Sequence, residues 1–427
     1  MTARLEVAGP DRLQLAVVFA GWVMLAWLTP AAMVWDQSWW QDEGVRYRSV
    51  SLSFNYFDFG WVRRGLGGTI LWLTRMHPLD AMLVFHLLSS LFAAAVFCGL
   101  VFRRPMPSGL RLLSVYGVAA MFLFWGEDAG RTDAAIAGLM GLLILAWPGR
   151  PVAAALCLVV ALALHETGFV LGLALIAALW LDGDRGKPAE SVRRDRRRGW
   201  LAAGAVVSVA VVLHIVSTRP SERRAEAVAT WVWQRFPDSP AAEWAVYYYL
   251  SGGRGVQTAV CQNLTLDPNY ALHVGCGLLV IGLTVLVFNH RRRGGWMAPL
   301  LAGVLPFLFL AAVSIDLARW SALSAINAWL VCIARSPIVH RPVTAADVSR
   351  RSLLLCALMV AASPRWLTAS GHATYAPMPL LDRAASRDVE LASPSAAQGL
   401  DHCDPAWREW LPAQWRAVSP AAPAGPR

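Results

Sequence analysis

The sequence has few charged residues and almost no lysine. Only 15% of its 427 residues are charged and Lys187 is the single lysine, whereas soluble domains carry about 25% charged residues. This composition excludes an ordinary soluble domain. Instead the chain has 21 tryptophans and long apolar runs such as 13–28 and 278–288. Repeated runs of this kind are typical of a helical protein that crosses a membrane many times.

Motifs for several common ligands are also lacking. No CxxC pair occurs, and five of the seven cysteines stand inside apolar runs, which argues against a metal cluster. The glycine-rich stretch 65–68, GLGG, matches neither GxGxxG nor a P-loop, so we exclude a nucleotide site. No cleavage site follows the first apolar run, and we expect that run to remain as a span. Cys261 and Cys403 lie in polar segments and can form a disulfide if both face an oxidising compartment.

Hydropathy predicts an all-α, polytopic transmembrane bundle of about eleven spans. Several middle spans are shorter than the ~20 residues of a full crossing, and short helices of this kind are tolerated when other helices or a water-filled cavity surround them. The predicted spans are roughly 13–34, 79–102, 110–125, 134–147, 152–164, 168–181, 200–217, 270–288, 297–314, 321–334 and 352–366.

The basic residues are distributed unevenly between the predicted loops. With the N-terminus inside, the inner segments hold 20 of the 38 basic residues but only 7 of the 28 acidic ones. The positive-inside rule therefore predicts an N-terminus inside and a C-terminus outside. The net charge of +10 is explained by these inner loops, and we expect no nucleic-acid partner. The arginine-rich composition is typical of a GC-rich bacterium, which predicts a multi-pass protein of the bacterial inner membrane.

This topology leaves three long segments outside. Residues 1–366 form the predicted transmembrane domain, with outer loops 35–78 and 218–269. Residues 367–427 form an extracytoplasmic tail that is rich in Pro, Ala and Ser and is expected to pack loosely.

Most ionisable residues near the span ends fall on the outer face. Because ionisable side chains at membrane depth are costly, they are functional candidates by default. A one-sided cluster from four separate loops indicates a cavity that opens outward. The candidates are Asp42, Glu43, Asp58, Arg63, Arg64, Glu127, Asp128, Arg131, Asp133, His165, Glu166, Asp316 and Arg319.

Each candidate also has a purely structural interpretation. Asp128 with Arg131, and Asp316 with Arg319, have the i,i+3 spacing of intrahelical ion pairs. Arg63 and Arg64 can extend to lipid phosphates at the membrane surface without a specific site. His165 and Glu166 can form an ordinary turn between two spans.

The glycines beside these arginines suggest a phosphate site of another kind. Gly65, Gly67 and Gly68 permit close backbone approach at a helix start, where free N–H groups and arginines can meet a phosphate. On the outer face the available phosphate is that of a lipid.

The first outer loop reads WWQDEGVRYRS, with the acidic pair Asp42–Glu43 about eight residues after the first span. This motif resembles the first-loop acidic motif of the GT-C membrane glycosyltransferases, and the short middle spans and about eleven helices are similar to that superfamily. The HE at 165–166 and the DxxRW at 316–320 are similar to polytopic proteins of bacterial surface-polysaccharide loci.

The resemblance implies transfer of a sugar from a polyprenyl-phosphate donor to a hydroxyl of a glycan or lipid acceptor. A carboxylate would take the acceptor proton, and cations would hold the leaving phosphate. It implies Asp42 as the base, with Glu43 and Asp58 next. Arg63 and Arg64 would hold the phosphate, with Arg131 or Arg319. The acceptor-binding or accessory residues would be Glu127, Asp128, Asp133, His165, Glu166 and Asp316.

No ligand spacing requires a metal or another cofactor, although a divalent cation fits the carboxylates. Two other functions remain open on the same observations. One is a polysaccharide polymerase of the O-antigen type, and the other is a transporter or flippase of lipid-linked glycans.

Overall fold

The computed structural model is almost entirely helical in the residues it describes, which confirms the all-α class. These residues are 12–35, 43–59, 65–103, 108–127, 130–146, 150–181, 199–200, 202–209, 222–236, 243–247, 253–265, 270–289, 296–313, 317–335, 364–366, 373–375, 396–406 and 409.

The helices are α1 Arg12–Trp35, α2 Glu43–Ser53, α3 Tyr56–Phe59, α4 Gly65–Trp72, α5 Pro78–Arg103, α6 Ser108–Glu127, α7 Asp133–Ala146, α8 Pro151–Leu164, α9 Glu166–Leu181, α10 Glu222–Arg235, α11 Gly253–Thr265, α12 Tyr270–Asn289, α13 Met297–Val313, α14 Leu317–Arg335 and α15 Ala396–Cys403. Two short strands, β1 Pro364–Trp366 and β2 Ala373–Tyr375, pair antiparallel.

Nine predicted spans coincide with helices, namely α1, α5 to α9 and α12 to α14. Of the predicted span 200–217, residues 202–209 are described and helical. The predicted span 352–366 is wrong at its end, because residues 364–366 form β1 and contact α6 and α14. Its residues 352–363 lie outside the described part of the chain. Proline explains some boundaries, since α5 and α8 both begin at a proline, where the missing N–H costs nothing.

Two helices are long and apolar enough to cross a membrane by length and composition, Pro78–Phe102 and Tyr270–Phe288. Six further apolar helices are shorter: Arg12–Leu28, Arg111–Gly126, Asp133–Ala146, Pro151–Leu164, Glu166–Leu179 and Met297–Val313. The side chains of these eight helices and of α14 form one continuous core. We call these nine helices the bundle.

Close contacts at glycines give the relative directions of the bundle helices. Gly138 and Gly141 of α7 lie against Phe92 and Val96 of α5, so these two helices run parallel. Helices α8 and α9 run antiparallel, because Gly168 meets Ala161 and Gly172 meets Leu158. A glycine at such a contact lets two helices approach more closely than any larger residue would allow.

A second, smaller core lies at the end of the bundle where α5 begins. It combines residues from all three segments that hydropathy placed outside. We call this unit the cap, and its buried members are Val50, Phe54, Phe59, Val228, Ala229, Val232, Phe236, Ala245, Val246, Tyr247 and Leu400.

The C-terminal segment is fastened to the cap by a disulfide and a buried hydrogen-bond network. Cys261 and Cys403, which are 142 residues apart, are bonded to each other. The Tyr247 hydroxyl donates to Asp404 Oδ2 at 2.7 Å and lies 3.0 Å from Thr258 Oγ1. All three of these side chains are buried. The expectation of a loosely packed tail is therefore wrong for residues 396–406.

Candidate functional site at the cap end of the bundle

Asp133 and Arg319 form a buried ion pair between α7 and α14. Arg319 Nε donates to Asp133 Oδ2 and Nη2 donates to Oδ1, each at 2.5 Å. Both side chains are nearly inaccessible, at 2% and 3% relative exposure. The structural interpretation of the sequence pairs Arg319 with Asp316, which lies outside the described residues. The structure directs two N–H groups of Arg319 to a carboxylate 186 residues away.

Asp133 and Arg319 each lie in the first turn of a helix. Asp133 is the first residue of α7, where the unpaired N–H groups and the helix dipole favour a carboxylate. Arg319 lies in the first turn of α14, because that helix begins at Leu317 and not at the predicted residue 321. Each charge alone would be expensive to bury, and removal of one partner from such a pair typically costs about 3–5 kcal/mol.

Trp320 completes the surroundings of this pair. The Arg319 guanidinium carbon lies 4.3 Å from the Trp320 ring centroid, within the range of a cation–π contact. The Trp320 ring also approaches the His165 ring, at 6.4 Å between centroids. Trp320 is the last residue of the DxxRW motif, and the sequence alone predicts no role for it. Its Nε1 and the Thr132 Oγ1 are buried and have no hydrogen-bond partner among the described residues.

His165 ends α8 and starts α9. Its backbone is extended, with φ −166° and ψ 142°, and its own N–H still closes α8 by donating to the Ala161 carbonyl oxygen. The Thr167 N–H donates to His165 Nδ1 at 3.2 Å, so the side chain caps α9 as a serine or aspartate would. This bond favours the neutral tautomer that carries its proton on Nε2. The predicted ordinary turn between two spans is thus a turn closed by the histidine itself.

Glu166 follows His165 in sequence, and its carboxylate reaches solvent. One of its oxygens lies 3.5 Å from His165 Nδ1, and its side chain is 38% exposed. Arg131, which is half-buried, precedes Asp133 in the connection from α6 to α7. The structure therefore places Asp133, Arg319, His165 and Glu166 at one end of the bundle.

Helix α4 belongs to the loop that hydropathy predicts to be the first outer one, and it lies at the same end of the bundle. A Cβ at Gly67 would touch Leu164, the residue before His165, and one at Gly68 would collide with the Phe54 carbonyl oxygen. Gly68 is thus explained by packing against the Phe54 backbone, and a phosphate at this helix start stays a prediction. Arg63 and Arg64 immediately precede α4 in sequence but lie outside the described residues.

Asp58 takes part in a local capping exchange. It accepts a hydrogen bond from Asn55 Nδ2 at 2.9 Å, while Asn55 Oδ1 accepts the backbone N–H groups of Phe57 and Asp58. Asp58 is exposed, so its carboxylate remains in contact with water. Its position is thus explained by the start of α3.

Asp42, Asp128 and Asp316 lie outside the described residues. Glu43 is the first residue of α2 and Glu127 is the last residue of α6, which locates their backbones only. Arg48 of α2 is a buried cation that sequence reasoning missed, at 8% exposure. Nothing in the local pattern VRYRS distinguishes it from the neighbouring Arg46.

Among the described residues, one group offers three donors suited to a metal ion: Cys261, His402 and Cys403. Both cysteines are bonded to each other, so their sulfurs are not available as thiolate ligands. The carboxylates of the cap end form no comparable group within the described residues.

A small apolar crevice opens between α6, α12 and α14. Its two hydroxyl groups have internal partners. Trp329 Nε1 donates to Ser114 Oγ at 3.2 Å, and Thr284 Oγ1 donates to the Val280 carbonyl oxygen at 2.8 Å. The rest of the lining is apolar or backbone, so the crevice fits a hydrocarbon chain better than a sugar.

No protein-family model, curated protein or solved structure matches the chain.

Proposed function

We propose that the protein is a multi-pass membrane glycosyltransferase of the GT-C type, which moves a sugar from a polyprenyl-phosphate donor to an acceptor hydroxyl on the cap side of the bacterial inner membrane. The observation that carries this proposal is the cap end of the bundle. There a buried ion pair, a capping histidine and a solvent-reaching carboxylate lie together, beside a cap that is stapled by a disulfide.

The proposed chemistry needs a base and a cationic phosphate site. Asp42 is our candidate base, with Glu43 next, because they stand just before and at the start of α2. Glu166 is a third carboxylate with access to solvent. Arg63 and Arg64 are the candidate phosphate ligands, and the buried Arg48 joins them. Arg319 instead acts by holding Asp133, since two of its N–H groups are directed to that carboxylate.

The lipid part of the donor also has a matching surface. The crevice between α6, α12 and α14 offers apolar walls and no hydroxyl that lacks an internal partner. A long hydrocarbon chain loses nothing by entering such a crevice from the bilayer, whereas a sugar would lose hydrogen bonds to water.

The test uses the full chain in lipid nanodiscs with a panel of polyprenyl-phosphate sugars and membrane glycan as acceptor, with transfer measured by mass spectrometry. Asp42→Asn and Glu166→Gln are compared with Glu226→Gln, which alters an exposed glutamate of α10. We expect one sugar to be added by the wild type and the control, and a loss of at least about tenfold for a variant that removes the base.

Two results would decide against the proposal. Wild-type transfer rates in both Asp42→Asn and Glu166→Gln would remove these carboxylates from the reaction. Lengthening of a lipid-linked glycan by whole repeats would instead identify a polymerase.

A further inference from the structure

We propose that α4 and the turn after it form an interfacial element, which rests in the headgroup and upper acyl region of the membrane at the cap end of the bundle. The inference shares with the proposed function only the membrane placement of the bundle, and it is independent of glycosyl transfer.

The element presents a contiguous apolar surface. Five large apolar side chains of α3, α4 and the following turn are exposed by between 43% and 65%: Phe57, Ile70, Trp72, Leu73 and Met76. The Phe57 and Trp72 rings lie 4.6 Å apart, which joins α3 to α4 within the patch. Exposed patches of this kind on a folded protein mark a membrane or protein contact.

The opposite face of α4 packs against the rest of the protein, so the helix cannot rotate to bury the exposed apolar surface. Gly67 lies against Leu52, Phe85 and Leu164, and Gly68 lies against the Phe54 backbone. Leu71 belongs to the core of the bundle and Phe54 to the core of the cap. Helix α4 therefore lies at the boundary between the two cores.

The exposed face of α5 locates the membrane surface near this boundary. Asp80, Leu88 and Ala95 are all exposed and recur at helical spacing, so they share one face of α5. This face changes from a carboxylate to a leucine over eight residues, which is about 12 Å along the helix. The polar end of this face lies directly after the turn that carries Leu73 and Met76.

The composition of the patch favours lipid over a protein partner. Two aromatic rings beside aliphatic side chains are typical of the membrane interface, where ring faces meet acyl chains. Arg75 in the same turn is exposed and can reach lipid phosphates. The patch is also continuous with α5, one of the two helices long enough to span a membrane.

The test places a nitroxide label on the patch of the full-length protein in vesicles of phosphatidylcholine and phosphatidylglycerol. Leu73→Cys is labelled in a background that carries Cys276→Ser and Cys356→Ser. The other free cysteines among the described residues, Cys98, Cys157 and Cys332, are buried. Glu226→Cys, on an exposed site of the cap, is the control for water. Collisions with oxygen and with a water-soluble nickel chelate are measured by power-saturation EPR.

We expect the label at residue 73 to meet oxygen more often than the nickel chelate, and the label at residue 226 to show the reverse. A label at 73 that is open to the chelate would place the patch in water. A label that is closed to both reagents would place it against protein, including a second copy of this chain. Either result overturns the proposal. Met76→Cys provides a second site on the patch if Leu73→Cys does not fold.

Discussion

Asp133 belongs to two parts of the structure at once. It opens α7, where a carboxylate is favoured by the helix dipole, and it accepts both N–H groups that Arg319 directs across the bundle. The pair joins two helices whose first turns lie at the cap end. Removal of the pair should therefore lower the stability of the protein. It should affect any reaction only through that loss of stability.

We predict that Asp133→Asn lowers the free energy of unfolding by about 3 kcal/mol, because it leaves Arg319 buried beside a neutral amide. Asp80→Asn is the matched control, since Asp80 also lies in the first turn of a helix but is exposed. Its loss should be below about 1 kcal/mol. Thermal and denaturant unfolding in detergent measure both variants, and equal losses would contradict a special role for the buried pair.

His165 combines a capping role with a proposed role in the reaction, and two substitutions separate them. Asparagine also caps helices, so His165→Asn should keep the stability of the wild type, whereas His165→Ala should lose about 1 kcal/mol. If the imidazole also orients the acceptor or transfers a proton, His165→Asn will reduce sugar transfer while the melting temperature of the variant stays unchanged. Full activity in a stable His165→Asn would leave His165 a purely structural residue.

At the scale of elements, glycine contacts set how closely α4 meets the connection before α3. We predict that Gly68→Ala destabilises the protein by about 1–3 kcal/mol, because the added Cβ would collide with the Phe54 carbonyl oxygen, which is backbone and cannot rotate away. Gly282→Ala in α12 is the control, since no atom lies within 4 Å of its added Cβ. A comparison of melting temperatures decides, and a neutral Gly68→Ala would contradict the packing described.

The helices were predictable and their partners were not. Apolar runs are local signals, so α1, α5 to α9 and α12 to α14 stand close to where hydropathy put them. The partner of Arg319 was missed because a local candidate, Asp316, has suitable spacing, while Asp133 is far away in sequence. The predicted end of the last span, 352–366, is wrong for a related reason. The pairing of β1 with β2 is not visible in hydropathy.

At the scale of the whole molecule, the cap depends on a covalent bond. Its core draws on three distant segments, and such a small core gains much from a disulfide. We predict that Cys403→Ser lowers the stability of the cap by about 2–4 kcal/mol and exposes residues 396–406 to protease. Cys276→Ser in α12 should leave the protease pattern unchanged. Limited proteolysis with mass spectrometry measures both, and an unchanged pattern in Cys403→Ser would show that the Tyr247–Asp404 network suffices alone.

The same disulfide tests the orientation of the chain in the membrane. A structural disulfide persists in an oxidising compartment, so the cap should face away from the cytoplasm, opposite the arginine-rich segment around residues 193–198. After reduction in spheroplasts of a strain that carries Cys276→Ser and Cys356→Ser, an impermeant maleimide should label Cys261 and Cys403. In a variant without these cysteines, Gly199→Cys should be labelled only after the membrane is opened, because Gly199 adjoins that segment and is exposed. The opposite result would be labelling of Gly199→Cys in intact spheroplasts, together with no labelling of Cys261 and Cys403 in the first strain. It would show that the topology is reversed and that the cap does not lie on the side where the proposed lipid donor is used.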